Sequence, residues 1–222
     1  MTRSDFDPED IGHGSFYFLL TSVIVPRPIA WVSSRSAEGV DNLAPHSFFS
    51  VSSVSPPIVQ FTSVGRKDSQ RNIEATGEFV VCFTPARLFE QINATGTNFP
   101  AGVSEFDAVG LTREPSRHVA PPRVADSPVA LECRLHSMVS FGASTVVMGR
   151  VVHAAVSEAV LRNGRPAIDL LNPISRLGAN EWGELGEIRE ITRIGYEQWP
   201  GHYGHGAGDA ADSASDGDSG AD

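Results

Sequence analysis

Hydrophobic and polar positions repeat with a period that changes along this chain. Residues 29–34 (IAWVSS) and 58–64 (IVQFTSV) are short runs rich in β-branched and aromatic side chains, the pattern of strands. Residues 16–25 (FYFLLTSVIV) read as another strand behind a polar lead-in over 1–15. Pro26 and Pro28 interrupt it, because proline supplies no ladder donor. Residues 36–42 (SAEGVDN) form a turn of Gly, Asp and Asn. The period then lengthens. Asp68 suits an N-cap and Gly77 a left-handed stop, so 69–76 is predicted to be a short helix.

A strand returns over 79–84 (FVVCFT). Pro85 can open a second helix with Leu88, Phe89 and Ile92 on one face. Residues 98–128, rich in Pro, Gly and Arg, read as irregular surface. Two long strands, 129–141 and 145–156, are joined by a hairpin link at 142–144. Residues 164–186 read as loop, and 187–194 (EIREITRI) as a last short strand or turn. Six or seven strands with a few short helices predict a mostly β protein, a closed antiparallel barrel, and closure removes exposed edges.

The chain's 222 residues suffice for one domain with a full core. The net charge of −10 argues against a nucleic-acid binder, which needs a basic face. Half of that charge comes from the five Asp of 201–222, which holds no Lys or Arg, so the remaining residues carry −5. That stretch reads as a disordered acidic tail following a domain over 16–200. Cys82 and Cys133 sit in apolar runs and read as reduced core thiols. The N-terminus lacks an apolar signal core, and no run approaches the ~20 apolar residues of a membrane span, so the expected address is cytoplasmic. No histidine has a partner at a familiar metal-ligand spacing, and no GxGxxG, Walker, HExxH or GxSxG pattern occurs.

Three segments carry candidate chemistry. In PRPIAWVSS, prolines restrain the backbone around Arg27, which could face an anionic ligand or equally solvent. In NLAPHSFFSVSSVSPPIVQF (42–61), backbone amides around Ala44–Phe49 and several serines offer donors, and Phe48 and Phe49 an apolar surface. A planar hydrogen-bonding ring would suit that wall, and so would an ordinary serine-rich edge strand with two core phenylalanines. In SVGRKDSQRN, Arg66 and Lys67 precede a helix start whose amides favour an anion, with Ser69 and Asn72 as neutral donors. A solvated basic turn fits equally.

Taken in order, PRPIAWVSS, NLAPHSFFSVSSVSPPIVQF and RKDSQRNIEATGEFVVCF resemble the signature of the flavin reductase-like family of FMN-binding split-barrel proteins. VVMGRVVHAAVSEAVLRNGRPAI and ISRLGANEW resemble its later strands and its Arg-Leu-Gly loop. The resemblance covers roughly 16–193 and implies a Greek-key split barrel. It implies an isoalloxazine ring beside Ala44, Pro45, His46, Ser47 and Phe48. It also implies further cofactor contacts from Arg27 and Ser63, and a phosphate turn at Arg66, Lys67, Asp68, Ser69 and Asn72. Arg176 and Trp182 would lie on the substrate side. The chain departs from the family at Ala179 and Trp182, where a second glycine and a tyrosine are frequent, and at Ser69, where threonine is. The implied activity is NAD(P)H:flavin reduction through FMN in a homodimer, with electrons passed to a second acceptor such as a partner monooxygenase. An FMN-binding electron carrier without its own NAD(P)H turnover is the alternative. A haem reading lacks an axial ligand.

Overall fold

The computed structural model describes residues 1–100 and 102–198. It divides into a unit over 1–186 and a second beginning at Glu187. The expected acidic tail at 201–222 lies outside the described residues.

The first unit opens with helix α1 (Pro8–Val23) rather than a lead-in and a strand. Asp7 at the N-cap, Pro8 in the first turn and the acids Glu9 and Asp10 are all helix-start signals, and the FYFLL run lacks the period-two alternation of a half-buried strand. Gly12, at φ 77°, kinks the helix. The remaining elements follow in chain order. Strands β1 (Ala30–Arg35), β2 (Asp41–His46), β3 (Phe49–Ser53) and β4 (Ile58–Val64) precede helix α2 (Asp68–Thr76) and β5 (Glu78–Cys82). Helices α3 (Phe89–Ala94) and α4 (Glu105–Val109) lead to a small pair, β6 (Arg113–Glu114) and β7 (Arg123–Val124). The long hairpin β8 (Val129–Phe141) and β9 (Ser144–Val156) comes next. Short elements complete the unit: β10 (Leu161–Arg162), β11 (Arg165–Pro166), α5 (Ile168–Leu171), β12 (Ser175–Arg176) and β13 (Trp182–Gly183). The region 98–128 is thus less irregular than expected, since it holds α4 and the β6–β7 pair.

Seven strands form one antiparallel sheet in the order β2-β1-β5-β8-β9-β4-β3. No ladder joins the edge strands β2 and β3 among the described residues, so the sheet is not closed by hydrogen bonds. It is nevertheless curled. Laid flat, seven strands would hold their edges about 29 Å apart. Only Ser47 and Phe48 link β2 to β3, a reach of about 11 Å at most. The end of β2 accordingly lies over β4: the His46 ring is 4.6 Å from that of Phe61, and the Phe48 carbonyl accepts the Thr62 N–H at 2.9 Å.

Alternation along the inner strands builds two cores. Ala30 and Val32 of β1 pack with Phe61, Phe79, Val81, Cys133 and Val147 on one face, while Trp31 packs with Val80, Cys82, Ile92 and Phe106 on the other. Burial on both faces explains why these strands read as continuous apolar runs. Gly149 is required by this packing, because a Cβ there would lie 2.2 Å from Phe79 Cζ. Both cysteines are free and buried, and burial pushes each thiol up to about 12.

In the second unit, no strand forms over 187–194, where Ile188 and Ile191 are exposed. No neighbouring strand pairs with this segment's backbone among the described residues, and an unpaired strand gains no ladder.

Candidate functional site

A cleft of about 270 Å³ opens where the end of β2, the end of β4 and the start of α2 converge. Ala44, Pro45, His46, Ser47, Phe48, Lys67, Asp68 and Ser69 all line it, so the expected ring wall and most of the expected phosphate turn share one hollow. The cleft also takes Tyr17 from α1, Thr95–Phe99 after α3, and Glu105 at the start of α4.

The amide wall is narrower than the sequence predicts. Leu43 N–H points away from β1 and donates to Glu105 Oε2 at 2.8 Å. By alternation, Ala44 and His46 direct their amides to β1, and Pro45 has none. Ser47 and Phe48 are left as the backbone donors of the wall. The opposite end is basic. Lys67 is the N-cap residue of α2, one position before the expected Asp68, whose carboxylate pairs instead with Arg71. Lys67 Nζ donates to Asn98 Oδ1 at 3.1 Å. Burial pushes His46 down to about 4, helped by the Lys67 charge and opposed by a hydrogen bond to the Thr62 backbone, so the imidazole is neutral at pH 7.

Four expected residues do not line the cleft. Arg27 is buried, donating to the carbonyls of Thr21, Ile24 (3.1 Å) and Leu177 (2.7 Å), so it clamps the end of α1 instead of facing an anion. Burial, then the nearby charge of Arg176, lowers its pKa. Ser63 is buried and donates to the Gly65 carbonyl at 2.8 Å, shaping the turn. Arg66 points outward to Glu74 at 2.7 Å. Asn72 is buried and donates to Ser34 Oγ at 3.1 Å, tying α2 to β1. Local sequence showed these polar groups but not the partners that occupy them. Conversely, Tyr17, Asn42 and Glu105 were missed. Asn42 stood at the start of the quoted serine-rich stretch, but nothing local marked Glu105.

A second cleft of about 220 Å³ shares Pro45, Ser47 and Gly96 with the first and adds Arg176, Asn180 and Trp182. The Arg176 guanidinium stacks 4.7 Å from the Trp182 ring centroid, and its Nη2 donates to the Ala179 carbonyl at 2.6 Å. Ala179 holds φ 44°, so this alanine keeps the left-handed backbone that a glycine would take more easily. Backbone bonds of 2.9 and 3.0 Å join Arg176 to Arg27, anchoring the hairpin to the segment after α1.

The first cleft suits a flavin mononucleotide in its donor chemistry: an aromatic and proline wall, neutral amides at one edge, and a cation beside a helix start at the far end. A family model for the flavin reductase like domain matches residues 22–172. Nitrilotriacetate monooxygenase component B from Bacillus cereus is 34% identical, covering 86% of this chain and 100% of its own, with a TM-score of 0.83. A 2-nitrobenzoate 2-nitroreductase from Pseudomonas fluorescens is 30% identical, covering 87% and 98%, with a TM-score of 0.81. A split barrel domain protein from Shewanella frigidimarina, at 18% identity, covers 87% and 100% with a TM-score of 0.78 and shares the fold. Among the described residues, no helix is long and apolar enough to cross a membrane.

Proposed function

Because this chain belongs to the flavin reductase-like domain family, we propose that it is an FMN-dependent oxidoreductase moving electrons from NAD(P)H to a second acceptor. The observation that carries this reading is the pair of clefts meeting at Pro45, Ser47 and Gly96. One has the donor set for FMN and the other has room and a stacked cation for a nicotinamide substrate. When bound, FMN supplies the two-electron chemistry, and the protein supplies position and shielding. Ser47 and Phe48 amides orient the ring edge, Phe48 and Pro45 exclude water from it, and Lys67 with the α2 amides holds the phosphate. Arg176 and Trp182 border the side from which the nicotinamide approaches.

The curled sheet is read as the family's split barrel. The exposed Tyr17, Phe18, Leu20 and Val23 of α1 favour a homodimer that covers them. The similarity to a component of a monooxygenase supports a partner monooxygenase as acceptor. Turnover separates the enzyme from an electron carrier. With FMN added, the protein is expected to oxidise NADH or NADPH catalytically. FMN binding without oxidation of either nucleotide would favour the carrier.

A further inference from the structure

Two histidines far apart in the chain meet outside both clefts. His153 of β9 stands opposite Glu132 in the β8–β9 ladder, so the two side chains leave the same face of the sheet. The 113–124 segment lies over that face, and Glu132 fixes where it sits. Its carboxylate accepts the Arg117 and His118 N–H groups at 2.9 and 2.6 Å, and Arg123 Nε at 3.0 Å. Two residues beyond His118, the Ala120 N–H is held by Glu78 Oε2 at 2.8 Å. The His118 backbone is therefore pinned beside the strand position that carries His153. The result is an imidazole pair with centroids 5.1 Å apart and planes inclined at 54°. His118 is exposed and His153 half-buried. Among the described residues, His118 hydrogen-bonds only through its backbone, and neither ring nitrogen of His118 or His153 has a partner.

We propose that His118 and His153 form a binding site for a divalent transition-metal ion of the zinc type, with solvent water completing its coordination. Two imidazoles joined to one tetrahedral ion by bonds of about 2.0–2.1 Å hold their centroids about 5 Å apart, which is the spacing found here. The 54° tilt is neither the offset parallel stack nor the perpendicular edge contact that aromatic rings prefer, so ring attraction alone is a poor account of the pairing. With no partner holding its nitrogens, each ring can turn about χ2, a broad torsion, to present a lone pair. Imidazole ligands suit zinc, copper and nickel, whereas magnesium and calcium take oxygen. No group of three or more His, Cys, Asp and Glu could hold an ion among the described residues, so water must fill the remaining positions. The nearby acids are already matched: Glu132 with Arg123, and Glu78 with Arg134 at 3.8 Å. Arg117 and Arg150 have exposed side chains without an ion pair among the described residues, and solvent screens their charge. A bound ion would tie the 113–124 segment to β9 and stabilise the folded state by mass action. The site touches neither cleft and does not depend on the flavin reading.

Zinc added to the metal-free full chain should raise its melting temperature, and magnesium should not. The rise should be lost in His118→Gln and in His153→Gln alike, because one imidazole is too few to hold the ion. The double variant should then respond no less than either single one. Without zinc, the variants should melt close to the unmodified protein, since neither ring belongs to a core. His136→Gln removes an exposed histidine of β8 and should leave the zinc response intact. Histidine ring NMR of the unmodified protein needs no variant to fold: substoichiometric zinc should shift two imidazoles together and leave the other five in place. The absence of any melting or NMR response to zinc would overturn the site. So would a response that persists in either single variant, or one abolished by replacing His202 and His205 instead.

Discussion

Replacing Lys67 with Glu is expected to weaken FMN binding at least about tenfold while leaving riboflavin binding nearly unchanged. Lys67 is exposed at the start of α2 and contributes nothing to either core, so the fold should tolerate the change. A glutamate at this position also suits the helix dipole. The loss should fall on the phosphate. A charge-assisted contact is worth about 1.5–3 kcal/mol, which is tenfold or more in affinity, and a carboxylate there adds repulsion. Riboflavin has the same ring without the phosphate, so titrating both ligands separates a lost phosphate contact from general damage. Equal weakening of the two, or of neither, would remove Lys67 from the site.

The parts of the molecule that were legible in its sequence are those governed by local rules. β4 keeps its expected bounds, 58–64, and its burial alternates from Val59 to Val64. Helix α2 is stopped at Gly77, whose φ of 71° is the left-handed stop that residue type suggested. The β8–β9 hairpin follows from two long runs without Pro around a glycine turn, the second of them rich in Val. Helix α1 was misread because Tyr17, Phe18, Leu20 and Val23 are exposed, so its apolar positions mark no buried stripe. The ring wall was legible because its residues are consecutive. Glu105 was not, because it meets Leu43 across 62 positions of chain. Arg27 shows the limit from the other side: its charge was visible, but the three carbonyls that take it lie on α1 and on the segment after β12.

Replacing Arg123 with Met should cost about 3–5 kcal/mol of stability, the penalty for leaving a buried charge without its partner. Arg123 Nη2 and Nε lie 2.5 and 3.0 Å from Glu132 Oε1, and Glu132 has no exposed surface. The backbone N–H groups of Arg117 (2.9 Å) and His118 (2.6 Å) also donate to this carboxylate, so the pair ties the 113–124 segment to β8. Burial pushes the Glu132 carboxyl up, but the Arg117, Arg123 and His118 bonds outweigh it and hold the group below its ordinary range. Its contribution is thus full at neutral pH and lost as pH falls through the folded value. Urea denaturation at neutral pH measures the loss. A second substitution, Glu132→Leu, should recover most of it by removing the stranded charge. A loss under about 1 kcal/mol for Arg123→Met alone would show that the backbone donors suffice.

The central claim is that the paired clefts bring FMN and a nicotinamide together. The visible spectrum of the purified protein with FMN, taken anaerobically before and after one equivalent of NADH or NADPH, tests it directly. The expected result is a flavin band shifted from that of free FMN and bleached by at least one of the two nucleotides. An unshifted band, or a bound flavin that neither nucleotide bleaches, would contradict it.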